Sequence, residues 1–142
     1  MQSIFRVSAR AHLGVILMAK LSESHATGEY TALRDVADAM SLSEGYMEEI
    51  AASLKAHHLV IGKTGPKGGY RLARNPKTIS AEDILIALEG PVELVDCQTG
   101  TASCPVSHLC HSKHLWFFLQ EHIRDALRQK TLADICAIRL SP

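Results

Sequence analysis

Long hydrophobic runs are missing from this chain. The longest, residues 13–19, falls far short of the roughly 20 apolar residues that span a bilayer, and no basic, apolar and small-residue leader precedes it. These absences argue against a membrane-spanning protein and lead to the expectation of a cytoplasmic one. Repeats and low-complexity segments are also absent. With 142 residues and 46% hydrophobic composition, the chain suits one globular domain, or a small domain with an appended arm. Net charge is missing too: 15 Lys and Arg balance 15 Asp and Glu, which taken alone argues against nucleic-acid binding. The P-loop order Gly-x-x-x-x-Gly-Lys-Ser/Thr does not occur, and neither does the close Cys-x-x-Cys pair that marks many zinc sites. Four cysteines and eight histidines are present, but no paired-base arrangement or oxyanion loop accompanies them, so no enzyme is expected.

What is present is unevenly placed. Cys97, Cys104 and Cys110 are separated by six and then five residues, between two helix-like segments. In a reducing compartment such thiols bind a metal or sense redox state rather than form structural disulfides. Clustered thiolates suit a soft metal centre, so an iron-sulfur cluster (2Fe-2S or 4Fe-4S) is one reading, with zinc or redox-active thiols as the others. Charge is uneven as well. Residues 54–77 carry Lys55, Lys63, Lys67, Arg71, Arg74 and Lys77 with no acid, an attraction for phosphates that the whole-chain total conceals.

Periodicity places these features on elements. A first helix from about Ser8 to Leu21 has Leu13, Ile16, Leu17 and Leu21 at helical spacing. A second is predicted to start at Thr31 as N-cap and to bury Leu33, Val36, Ala37 and Met40. After the tight turn at residues 40–43, Ser43 caps a third helix. Glu44 favours that helix's dipole, and Met47, Ile50, Ala51 and Leu54 form its inner face. Two short helices about a short turn make a helix-turn-helix. The β-type run Leu59-Val60-Ile61, the glycine-rich residues 62–69 and Tyr70-Arg71-Leu72 then read as a hairpin, which makes a wing beside a helix-turn-helix. Toward the C-terminus, Leu115, Phe118, Leu119, His122, Ile123, Ala126 and Leu127 fall on one helical stripe, widened by Trp116 and Phe117. Packing that stripe against a second copy would bury it and give a homodimer that reads a pseudo-palindromic operator. Cys136, in the last helix, is expected to be a small buried residue.

The chain resembles the Rrf-type winged-helix regulators, which include the iron-sulfur cluster regulator and the nitrite-sensitive repressor. The likeness is carried by Leu33-x-x-Val36-Ala37, by Tyr46-Met47-Glu48-Glu49-Ile50, and by His58-Leu59-Val60 leading to Gly65-Pro66-Lys67-Gly68-Gly69-Tyr70-Arg71-Leu72. Further on it is carried by Ile79-Ser80-x-x-Asp83-Ile84, Glu89-Gly90, the three-cysteine loop, Leu115-Trp116 and Thr131-Leu132-Ala133-Asp134-Ile135. It implies a homodimeric transcription regulator binding double-stranded DNA, with cluster state setting operator affinity. It also implies Cys97, Cys104 and Cys110 as ligands. The family position for a fourth ligand, three residues after the last cysteine, holds Lys113, with His111 and His114 near it and His108 upstream. His12 is the counterpart of the ligands that some members take from the partner's first helix; Ser8 is a poor ligand. In the wing, Thr64 stands where the family often has Arg.

The expected fold is therefore mainly α, a winged helix-turn-helix over residues 1–90. A cysteine-rich cluster loop over 91–112 and a dimerisation helix with a C-terminal segment over 113–142 complete it. Ser43, Glu44, Tyr46 and Glu48 at the start of the recognition helix, with Lys55, Lys63, Thr64, Lys67 and Arg71, form the expected DNA-binding set.

Overall fold

The computed structural model describes residues 5–95 and 104–138. Helix α1 (Ala9–Glu23) starts at Ser8, whose hydroxyl accepts the Ala11 N–H at 3.0 Å. Its buried face is Ala11, Gly14, Leu17, Met18 and Leu21, rotated from the predicted one: Leu13 is only half-buried and Ile16 is exposed. Apolar residues lie on every side of this helix, so spacing alone could not phase it. Close packing does: a Cβ on Gly14 would fall 2.2 Å from Leu88 Cδ1, so the small-residue face is the one that meets the following helix α4 (Ala81–Glu89).

Helix α2 (Leu33–Ala39) begins one residue later than predicted, with Ala32 and not Thr31 at the N-cap. Thr31 is held elsewhere. It exchanges both backbone hydrogen bonds with Tyr70, at 2.8 and 2.9 Å, as an antiparallel bridge on the edge of the wing. Met40 is half-buried where burial was expected. The turn to α3 (Glu44–Ala56) places Ser41 in left-handed backbone, and Ser43 caps α3 by accepting the Tyr46 N–H at 3.2 Å. Met47, Ile50, Ala51 and Leu54 are all buried, as predicted. A second left-handed residue, His58, turns the chain into β1 (Val60–Lys63), which pairs antiparallel with β2 (Gly69–Leu72) in the register Val60↔Leu72 to Lys63↔Gly69.

Beyond the wing, a short 3-10 turn (Pro76–Thr78) leads to α4, whose capping box pairs Ser80 and Asp83. Helix α5 (Ser112–Gln129) follows the cysteine segment, and α6 (Leu132–Cys136) carries its own capping box from Thr131 and Asp134. The last helix packs back onto the core: Leu132 is fully buried, and its N–H donates to the Ile79 carbonyl at 2.8 Å. Cys136 is exposed, against expectation, because Leu132 is the residue of α6 that turns inward. One core unites Leu17, Leu21, Met47, Ile50, Leu54, Ile84 and Leu132. Helix α5 stays largely outside it, with Gln120 as its one buried residue and Leu115, Phe117 and Phe118 each at least half exposed.

Candidate nucleic-acid interface and cysteine segment

Helix α3 and the wing enclose an open groove of about 460 Å³, lined among others by Arg34, Glu44, Glu48, Lys55, Lys63 and Tyr70. Ser43, Glu44 and Glu48 are exposed along the start of α3, although the Ser43 hydroxyl already serves as the helix cap. Tyr46 is half-buried and packs against the core. The Glu48 carboxylate accepts the Tyr70 hydroxyl at 3.2 Å, a contact that joins the recognition helix to the wing. Burial, and then the neighbouring Glu48 charge, push the Tyr70 phenol above its ordinary pKa, so it stays a donor at neutral pH.

The wing's cations are not alike. Lys55 at the end of α3 is exposed, as are Lys63, Lys67 and the neutral Thr64 of the wing. Arg71 is half-buried: it donates to the Gly28 carbonyl at 3.1 Å, and its guanidinium stacks 4.9 Å from the Tyr30 ring, with the Lys63 ammonium 5.5 Å from the same ring. Arg71 thus ties the wing to the α1–α2 loop. Nor are all six cations uncompensated, since Arg74 pairs at 3.1 Å with Asp83, an acid supplied from outside the segment. Two contributors escaped the sequence reading. Arg34, exposed in the first turn of α2, carries the signal of a cation on the helix that crosses the DNA backbone in this motif. Tyr70 carries none, because its partner lies 22 residues away.

Cys97 lies outside the described residues. Cys104 and Cys110 are half-buried in the segment that feeds α5. The Cys110 Sγ lies 3.4 Å from the Ser112 hydroxyl. That hydrogen bond, then the Lys113 backbone N–H and ammonium, hold the thiol below its ordinary pKa and favour the thiolate. His108 is exposed in a 3-10 turn (Ser107–Leu109), His111 is exposed at the N-cap of α5, and His114 is exposed in its first turn. His12 is exposed on α1. Among the described residues, no three His, Cys, Asp or Glu side chains converge on a common point. Upstream of the cysteines, Leu94 donates its N–H to the buried Gln120 of α5 at 3.3 Å. Downstream, Arg128 and Arg124 reach Glu82 of α4 at 3.1 and 3.7 Å. The stretch ahead of the cysteines is therefore joined to α5 through Leu94, and α5 to α4 through Glu82, by specific polar contacts. No described helix is long and apolar enough to cross a membrane.

Comparison with known proteins agrees with this geometry. The Rrf2 family model, described as iron-dependent transcriptional regulator, matches residues 7–138. The transcriptional regulator CymR of Bacillus subtilis is 29% identical over 93% of this chain and 90% of its own length. IscR of Vibrio vulnificus is 31% identical over 78% of this chain and 66% of its own. Among solved structures, CymR, titled the global cysteine regulator of B. subtilis, superposes with a TM-score of 0.74 at 29% identity, covering 94% of this chain and 97% of that one. T. potens IscR gives 0.71 at 29% identity, covering 96% and 94%. An oxidized form of Staphylococcus aureus CymR gives 0.74 at 26%, covering 96% and 100%.

Proposed function

The chain belongs to the Rrf2 family of DNA-binding transcriptional regulators, and on that premise we propose that it acts as a homodimer whose operator affinity is set by an iron-sulfur cluster held by Cys97, Cys104 and Cys110. The observation that carries this reading is the place of the thiols: Cys104 and Cys110 stand on the segment that runs into α5, the helix whose apolar face is left open. The donor set fits such a group. Three thiolates are soft ligands, and Cys110 is already biased toward the ligating form. His111, His114, His108 and a partner's His12 are the candidates for a fourth ligand. They rank above Lys113, whose ammonium must lose a proton before it can coordinate. When bound, the cluster supplies a redox-, iron- or nitric-oxide-responsive centre. The protein's own residues supply the transmission, from Leu94 through Gln120 into α5, and from α5 through Arg124 and Arg128 to Glu82 on α4. Exposed Ser43, Glu44 and Glu48 on α3 face base edges in the major groove, while Lys55, Lys63, Lys67 and Thr64 meet the phosphates.

A second reading is direct thiol oxidation or zinc binding without a cluster, and two observations bear on it. The acidified Cys110 suits oxidation as well as ligation, and a relative has been crystallised in an oxidized form. Anaerobic purification separates the two. A brown protein with stoichiometric iron and sulfide is expected, losing both in Cys97→Ala, Cys104→Ala and Cys110→Ala and keeping both in Cys136→Ala. A colourless parent, with zinc or with no metal, overturns the cluster.

A further inference from the structure

We propose that Tyr70 is a positioning residue for DNA readout: from the wing, its hydroxyl holds the Glu48 carboxylate in the orientation in which that carboxylate reads a base. The inference rests on the reading of α3 as the helix that enters the major groove.

Tyr70 is itself firmly placed. It stands opposite Gly62 in the hairpin and exchanges both backbone hydrogen bonds with Thr31 on its other side, so its main chain is clamped between the first wing strand and the entry to α2. Its ring lies over Gly62, where a Cβ would approach the ring Cε1 to 3.2 Å; only glycine leaves the ring this room without displacement. The ring also packs against the edge of the core. A rigid aromatic lever therefore ends in a hydroxyl 3.2 Å from Glu48 Oε2. Glu48 needs such a partner. It is exposed, and a free glutamate side chain gives up rotamer freedom when it is fixed against DNA. A carboxylate also repels phosphates unless it is aimed at a donor, and in the major groove the donor that matches it is the cytosine amino group. Fixing Glu48 before DNA arrives removes part of the ordering cost and steers the charge toward bases.

The test uses the full chain and an operator selected from random sequence, with Tyr70→Phe, Glu48→Ala and the double variant titrated against operator and random duplex at several salt concentrations. Tyr70→Phe keeps the ring and removes only the hydroxyl. It is expected to narrow the ratio of specific to random affinity about five- to tenfold, the scale of one ordinary net hydrogen bond. The loss should be concentrated at one cytosine-bearing position of each half-site, with the salt slope unchanged because no phosphate contact is lost. The double variant should discriminate no worse than Glu48→Ala. If Glu48→Ala narrows the ratio and Tyr70→Phe does not, the positioning role is refuted while the reading of α3 stands. If neither changes it, Glu48 reads no base and both fall. An equal loss on operator and random DNA with a lowered melting temperature makes Tyr70 structural only, and overturns the proposal.

Discussion

Charge of one sign does different work at different positions of the wing. Arg71 spends its guanidinium inside the protein, on the Gly28 carbonyl and the Tyr30 ring, whereas Lys67 is exposed near the glycine-rich tip and Lys63 lines the groove. Lysine is a mobile point charge suited to phosphates of any sequence, and arginine is a planar fork suited to fixed partners. Lys63→Ala and Lys67→Ala are therefore expected to weaken operator and random DNA alike, each lowering the salt slope by about one. Parent-like affinity at every salt concentration would make these lysines a solvated face. Arg71→Ala should in addition destabilise the fold, since a wing-to-loop tie is lost with the charge.

Elements form where local chemistry and packing agree, and the sequence was legible there. Helix α3 has a hydroxyl cap at Ser43, an acid in its first turn and four apolar residues at helical spacing; all four are buried. Helix α2 starts one residue later than its sequence predicts because Thr31 suits a strand as well as a helix cap. Tyr70, far along the chain, decided between the two by claiming both of its backbone groups. The phase of α1 was hidden for a related reason, since the contact of Gly14 with Leu88 joins residues that sequence spacing does not connect. The same limit applies to the candidate interface. Single residues such as Glu48 and Lys63 could be named from position along a motif, while the Tyr70 to Glu48 and Arg71 to Tyr30 contacts required the fold. Capping is the local signal with the clearest energetic weight. Ser80 accepts the Asp83 N–H at 3.0 Å while Asp83 accepts the Ser80 N–H at 2.9 Å, closing the first turn of the helix that supports α5. Ser80→Ala is expected to cost about 1 kcal/mol, a fall in melting temperature of about 4 °C for a chain of this size. Thermal unfolding followed by circular dichroism would measure it, and an unchanged midpoint would mean that the Asp83 half of the box suffices alone.

At the scale of the whole molecule, the unsolved surface is α5. Leu115 is 50% exposed, Phe117 57% and Phe118 56%, all within the first two turns of a helix whose Gln120, Arg124 and Arg128 make polar contacts with its own chain. Neighbouring aromatic and aliphatic side chains left open on one helix mark an interaction surface in a folded protein, and under the proposed homodimeric function a second copy is the expected occupant. A two-fold dimer built on α5 would place two recognition helices for two half-sites about one helical turn apart. It would also bring the segment carrying Cys104 and Cys110 close to the axis, where a change at the thiols alters helix spacing rather than the helices themselves. The substitution Phe118→Glu puts a charge into that face without touching the core of the winged domain. Sedimentation should then report a monomer with unchanged helical content. Affinity for a palindromic operator should fall about a hundredfold, through loss of simultaneous engagement of both half-sites, while binding to a single half-site changes little. A variant that remains a dimer and holds the palindrome as tightly as the parent would place the subunit interface elsewhere, and with it the route by which the cysteine segment reaches DNA.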